Sequence, residues 1–203
     1  MLEFRLQPET QKKIYYLAAF LVCGFGFRLA HSISAPTPSR NPVVVYIFLA
    51  EDCKICQSYT LTLKDLHREY SQHGFEFAGV FPNAASTPEA LSAFQEKYSL
   101  PFQVKLDVNN QLSRALGAQI TPEAIVVESA SNKILYQGRI DNTFFALGQR
   151  RSITTTQELR EALAAIKSGQ KIKVTKTEAV GCLITPRKAD DLKRLKSNKA
   201  NTE

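Results

Sequence analysis

Val43-Val44-Val45-Tyr46-Ile47-Phe48-Leu49-Ala50-Glu51-Asp52-Cys53-Lys54-Ile55-Cys56 is the stretch that decides the fold. Its first seven residues are apolar without a break and read as a buried strand. Two cysteines three residues apart follow, and they open a different pattern. Ile55, Tyr59, Leu63, Leu66 and Tyr70 recur at three- and four-residue steps, which predicts a helix over 54–72 with one apolar face, ended by Gly74. A strand that runs into C-x-x-C at a helix start suits dithiol redox chemistry. At i and i+3 the sulfurs lie one helical turn apart, within reach of a disulfide. The unpaired N–H groups of the first turn carry partial positive charge and favour a thiolate.

The competing reading of C-x-x-C is half of a metal site, which needs a second close pair of ligands. The remaining candidates are Cys23, Cys182, His31, His67 and His73, and they form no such pair. Gln57 stands where a haem-attachment motif needs histidine. The sequence therefore predicts redox chemistry without metal or cofactor. His67 lies off the apolar face of its helix and His73 at its end, so both are expected to face solvent.

Beyond the C-x-x-C helix, strand and helix signals alternate to about residue 168. Phe75-Glu76-Phe77-Ala78-Gly79-Val80-Phe81 reads as a second strand, reached by a right-handed crossover and so parallel to the first. Ser86-Thr87-Pro88-Glu89 predicts a helix start, with a capping box from Ser86 to Glu89 and Leu91, Phe94 and Tyr98 inward. A short strand is expected over 102–108, then one or two helical turns over 110–116 closed by Gly117. Residues 124–128 and 133–137, joined by Ser129-Ala130-Ser131-Asn132, predict an antiparallel hairpin. A last helix opens at Thr155-Thr156-Gln157-Glu158, turns Leu159, Ala162, Leu163 and Ile166 inward, and stops at Gly169. This is an α/β architecture of a single domain, 43–168, followed by a C-terminal extension and basic tail over 169–203.

The ends differ in character. Arg5, Lys12 and Lys13 precede fourteen apolar residues, 14–27, and Arg28 closes the run. That length suits a signal-peptide core better than a spanning helix. Residues 1–34 are read as a signal peptide cleaved near Ser34, or as an uncleaved anchor lengthened by snorkelling of Arg28. Val22 before Cys23 argues against a lipoprotein. Residues 35–42 hold three prolines and read as a linker. The domain beyond is expected to be exported, with a bacterial periplasm as its compartment, where disulfides can form. Its membrane contact would then be limited to the N-terminal segment. The net charge of +7 resides mostly at the termini, leaving sixteen basic against fourteen acidic side chains in 35–185. A nearly neutral domain offers no basic face to nucleic acid.

The order strand, C-x-x-C, long helix, strand, helix, then a hairpin preceded by Thr121-Pro122 resembles the thioredoxin fold. The chain is similar to thioredoxin-like redoxins, the class grouped with alkyl-hydroperoxide-reductase and thiol-specific-antioxidant domains, and most similar to an exported subgroup. The residues that carry the resemblance are Asp52-Cys53-Lys54-Ile55-Cys56, the run Leu116 through Glu123, Tyr136-Gln137-Gly138-Arg139-Ile140-Asp141-Asn142, and the late Val180-Gly181-Cys182-Leu183-Ile184. The resemblance implies a central mixed sheet flanked by helices. It implies that Pro122 is a cis-proline packed against the disulfide, leaving the main chain at Thr121 free to pair with a substrate peptide. It implies protein thiols and disulfides as partners, together with an electron donor.

There are departures. Asp52 stands where thioredoxins commonly carry tryptophan, and Lys54-Ile55 where they carry Gly-Pro. Peroxiredoxins place a Thr or Ser three residues before the peroxidatic cysteine; Ala50 occupies that place. Copper-delivering relatives use a wider cysteine spacing and a downstream histidine, whereas no histidine follows His73. The primary expectation is a thiol–disulfide oxidoreductase. A thiol peroxidase and a non-catalytic copper- or partner-binding module are the rivals.

Within the candidate site, Cys53 is expected to cap the helix with its sulfur exposed and to attack, while Cys56 faces inward and resolves. Lys54 favours the thiolate; Glu51 and Asp52 oppose it. Glu123 is either a carboxyl near the sulfurs that takes the proton from Cys56, or a strand-start residue facing water. Cys182 is either a third redox thiol or a packed small residue. Arg139 and Asp141 are expected to form a structural salt bridge.

Overall fold

The computed structural model describes residues 42–186. The predicted leader, most of the linker and the basic tail beyond 186 lie outside the described residues. Strand β1 (Val43–Phe48) sits at the centre of a five-stranded sheet. It pairs in parallel with β2 (Phe75–Phe81) and antiparallel with β5 (Glu123–Glu128). Strand β3 (Gln103–Leu106) extends the β2 side in parallel, and β6 (Lys133–Gly138) the β5 side antiparallel. The sheet is mixed, as predicted; β1 is buried on the face of Val43, Val45 and Ile47 and covered in part on the other, where Val44 and Tyr46 are half-buried and Phe48 is buried, so an apolar side chain suits each position.

Helix α1 (Lys54–Tyr70) begins at Cys53 as N-cap and buries Ile55, Cys56, Tyr59, Leu63, Leu66 and Tyr70. Each such side chain contributes about 1.5–3 kcal/mol on leaving water. A short 3-10 turn (Ser71–His73) and Gly74, in the left-handed region at φ 81°, turn the chain into β2. Helices α2 (Pro88–Tyr98) and α4 (Glu158–Lys167) join α1 in the main core, through Leu91 and Phe94 and through Leu159, Ala162 and Leu163. The other face is thinner: Phe48, Val80, Ile125 and Val127, packed by Leu112 and Leu116 of α3 (Gln111–Leu116). Among the described residues no helix is long and apolar enough to cross a membrane.

Three expectations are corrected. The N-cap of α2 is Thr87, whose hydroxyl accepts from the Ala90 N–H at 3.2 Å. Ser86 instead donates to the Glu51 carboxylate at 2.7 Å. His67 is half-buried, edge-on to Phe77, and burial lowers its pKa; His73 lies 2.9 Å from the Lys167 ammonium. Arg139 pairs with Glu158, not Asp141. Asp141 accepts from the Tyr59 hydroxyl at 2.6 Å. The difference arises because the segment after β6 turns Asp141 toward α1 and Arg139 toward the start of α4.

Short elements escape the sequence patterns. Strand β4 (Ile120–Thr121) pairs antiparallel with β9 (Cys182–Leu183), and β7 (Phe144–Ala146) with β8 (Gln149–Arg150).

Candidate active site

The register of the sheet brings the site together. Phe48 pairs with Glu123, so the chain beyond Phe48 and the chain just before Glu123 leave the sheet at one edge. The first path leads through Ala50 to Cys53, the second back to Pro122 and Thr121. The Thr121–Pro122 peptide bond is cis.

Cys53 takes extended geometry at φ −76°, ψ 113°, where an N-cap residue aims its side chain across the first turn. Its sulfur is held down to about pKa 5. The largest cause is the hydrogen bond from the Cys56 thiol; burial opposes it, and the N–H of Cys56, the Cys182 thiol and the N–H of Ile55 reinforce it. Cys56 is fully buried and pushed well above its ordinary value, first by burial and then by the neighbouring Cys53 sulfur. Its Sγ accepts from the Ala50 N–H at 3.4 Å. The two thiols therefore divide: one ionised at neutral pH, the other a protonated donor to it. The Thr121 carbonyl, 3.4 Å from Cys53 Sγ, suits an S–H donor and serves only the protonated form of Cys53.

Cys182 is the third sulfur. Strand β9 places its Sγ 3.1 Å from Cys53 Sγ. Its pKa is pushed up to about 11, first by burial and then by Cys53. The structure thus brings Cys53, Cys56, Thr121, Pro122 and Cys182 to one place. Two placements differ from the sequence reading. Cys53 is only 2% exposed, with the Cys182 sulfur 3.1 Å from its own. The main chain at Thr121 is already paired with that segment, Thr121 opposite Cys182.

Glu123 is placed elsewhere. As the partner of Phe48 it shares the face of Ile125 and Val127, opposite to the face packed by α1. Its carboxylate is buried and accepts from the Gln119 N–H at 3.1 Å and the Gln137 amide at 3.0 Å. Neither sulfur is among its hydrogen-bond partners and the side chain is buried, which corrects both expected placements, beside the sulfurs and facing water. A two-residue period groups Glu123 with Ile125 and Val127 in the sequence, but nothing there says which face meets α1. The close approach of β9 depends on Gly181. A Cβ there would lie 2.7 Å from the carbonyl carbon of Thr121.

The chain belongs to the AhpC/TSA family, whose model matches residues 30–153, more than half of its length. The family is one of redox enzymes. Chloroplastic peroxiredoxin Q from Populus jackii is 29% identical over 77 residues, which is 38% of this chain and 35% of that protein. The matched stretch therefore spans about a third of that curated relative. Among solved structures, an uncharacterized conserved protein from Geobacillus kaustophilus superposes with a TM-score of 0.65 at 22% identity, over 73% of this chain and 79% of that one. A hypothetical protein from Sinorhizobium meliloti gives 0.64 at 20% identity, over 73% and 81%. At these identities the likenesses bear on the fold alone.

Proposed function

We propose that this protein is an exported thiol–disulfide oxidoreductase acting on protein substrates through the Cys53–Cys56 couple. The observation that carries the reading is the division of the pair at the N-terminus of α1, an ionised Cys53 backed by a protonated, buried Cys56. In the reducing direction the Cys53 thiolate attacks a substrate disulfide. A mixed disulfide forms, and one substrate sulfur leaves as thiolate. Cys56 loses its proton and attacks Cys53 Sγ; the Cys53–Cys56 disulfide forms and the second substrate sulfur is released. Two electrons pass to the substrate, and an external dithiol must restore the pair. The reverse sequence oxidises a partner. The leader read in residues 1–34 supports export, and a dithiol couple on a thioredoxin-like fold suits protein substrates, which present extended segments to a sheet edge.

The test is reduction of insulin by the dithiothreitol-reduced protein, followed by turbidity. Cys53→Ser should abolish it, and Cys56→Ser combined with Cys182→Ser, which removes both neighbouring thiols, should accumulate mixed disulfides visible on non-reducing gels. Initial attack that survives Cys53→Ser but not Cys56→Ser would reverse the assigned roles.

The likeness to peroxiredoxin Q favours a second reading, a thiol peroxidase in which Cys53 is oxidised by peroxide to a sulfenate. Ala50, three residues before Cys53, offers no hydroxyl to polarise a peroxide, so Cys53-dependent consumption of hydrogen peroxide should be slow. A rate matching that of dedicated peroxidases would select this reading over the first.

A further inference from the structure

We propose that residues 180–184 are a tethered substrate of the site: Cys182 forms a disulfide with Cys53, and the strand that carries it fills the edge of Thr121 where an extended protein segment would otherwise pair. The proposal rests on the reading of Cys53 as the attacking thiolate.

Five observations carry it. Cys182 Sγ stands 3.1 Å from Cys53 Sγ, so a disulfide needs the two sulfurs to close by about 1 Å. Strand β9 runs antiparallel to β4 with Cys182 opposite Thr121, which is the backbone pairing a docked peptide would make. The segment is fastened on the far side: the Ile184 N–H donates to the Gln119 carbonyl at 2.9 Å and the Thr185 N–H to Asn83 Oδ1 at 2.9 Å. Gly181 lets the backbone pass against the Thr121 carbonyl, where an added Cβ would collide. With the strand in place Cys53 is 2% exposed, so a protein disulfide reaches it only after the strand leaves.

The exchange balances without an added oxidant. In the oxidised protein, Cys182 loses its proton and its thiolate attacks Cys53 Sγ. The Cys53–Cys182 bond forms, the Cys53–Cys56 bond breaks, and Cys56 leaves as a thiolate that takes up a proton. In the reduced protein the Cys182 S–H instead donates to the Cys53 thiolate. The tether keeps Cys182 at high effective concentration, so it competes with soluble thiols for Cys53.

The first test equilibrates full-length Cys56→Ser protein in a glutathione redox buffer, blocks free thiols and maps disulfides by peptide mass. The expected product links Cys53 to Cys182. Cys53 found only as its glutathione adduct, or bonded to Cys23, overturns the proposal. The second test measures iodoacetamide alkylation of Cys53 at pH 8 in full-length Gly181→Ala protein, with folding checked by circular dichroism. Displacing the strand should raise the rate about tenfold or more, as local opening ceases to limit access. An unchanged rate overturns the covering role. Insulin reduction separates this proposal from the one before it. A Cys53–Cys182 disulfide in a protein inactive on insulin sinks only the oxidoreductase reading. Insulin reduction with neither the disulfide nor faster alkylation sinks only the tether.

Discussion

At the residue scale the chemistry turns on how one sulfur is surrounded. Lys54, Glu51 and Asp52 left the charge balance around Cys53 open in the sequence, and none of them sets it. Lys54 turns to Gln57 at 3.3 Å, and Glu51 takes the Ser86 hydroxyl. The Cys53 thiolate is held by two thiols and the first N–H groups of α1, donors that only the folded chain assembles. Thiolate absorbance near 240 nm should therefore show a transition near pH 5 in reduced protein. Cys56→Ala should move that midpoint up, and by more than Cys182→Ala does, because Cys56 supplies the largest stabilising contribution. Equal shifts, or none, would mean that the helix N-terminus alone sets the ionisation. The same ionisation sets a pH dependence of folding. Between about 5 and the ordinary value of 9.0, the reduced native state binds fewer protons at Cys53 than the unfolded chain does. Its stability should therefore rise with pH across this window, and be lost as pH falls through 5. Above about 9 the raised Cys56 and Cys182 act in the opposite sense. Urea midpoints of reduced and oxidised protein, compared from pH 5 to 8, check this; parallel profiles would contradict it.

At the scale of elements, Arg139 at the end of β6 and Glu158 at the start of α4 join strand to helix. Burial pushes the Glu158 carboxyl up. The Arg139 guanidinium and the Thr156 hydroxyl outweigh it together, so the carboxyl sits below its ordinary value. Arg139→Ala strands a carboxylate that is 6% exposed on its side chain. Discounted for the part-exposed guanidinium, the loss should be about 2–3 kcal/mol. Arg139→Ala/Glu158→Gln should recover part of it. Because the folded carboxyl is depressed, the pair stabilises above the unfolded value of 4.5 and ceases to as pH falls through the folded one, so the gap between wild type and Arg139→Ala should close in acid. A gap unchanged at pH 3 would count against the pair. Elements with enough residues to show a pattern were legible in the sequence: β1 and the β5–β6 hairpin as apolar runs bounded by turn residues, β2 as a short apolar strand, and α1, α2 and α4 by a 3.6-residue repeat. Strands β4, β7, β8 and β9 are two or three residues long and cannot show one. The position of the site at the end of β1 was legible for the same reason. The pairing of Arg139 and the face of Glu123 were not, since a strand's alternation does not name the layer on each side.

At the scale of the whole molecule, the C-terminal extension is a belt that ties the far edge of the sheet to the site. After Gly169 it runs beside β6: the Gln137 N–H donates to the Thr175 carbonyl at 2.9 Å and the Thr177 N–H to the Gln137 carbonyl at 3.0 Å. Thr177 Oγ1 accepts from the Arg139 N–H at 3.0 Å and lies 3.0 Å from the Tyr136 hydroxyl. Three residues further on, Val180 packs against the main core, and β9 then crosses Cys53. Gly138 permits the crossing at Thr177. Its φ of 148° suits few other residues, and a Cβ there would meet the Thr177 hydroxyl and backbone. Gly138→Ala should cost about 1–3 kcal/mol through overpacking. Its more telling consequence lies about 40 residues away in sequence (Gly138 to Cys182), because loosening the belt at Thr177 slackens the strand that covers Cys53. Arg139→Ala supplies the control. It removes a comparable amount of stability through the β6–α4 tie, and leaves the backbone contacts of the belt in place. At matched stability and pH 8, iodoacetamide should modify Cys53 faster in Gly138→Ala than in Arg139→Ala. Equal rates would show that cover over Cys53 follows global stability, with no mechanical link along the belt.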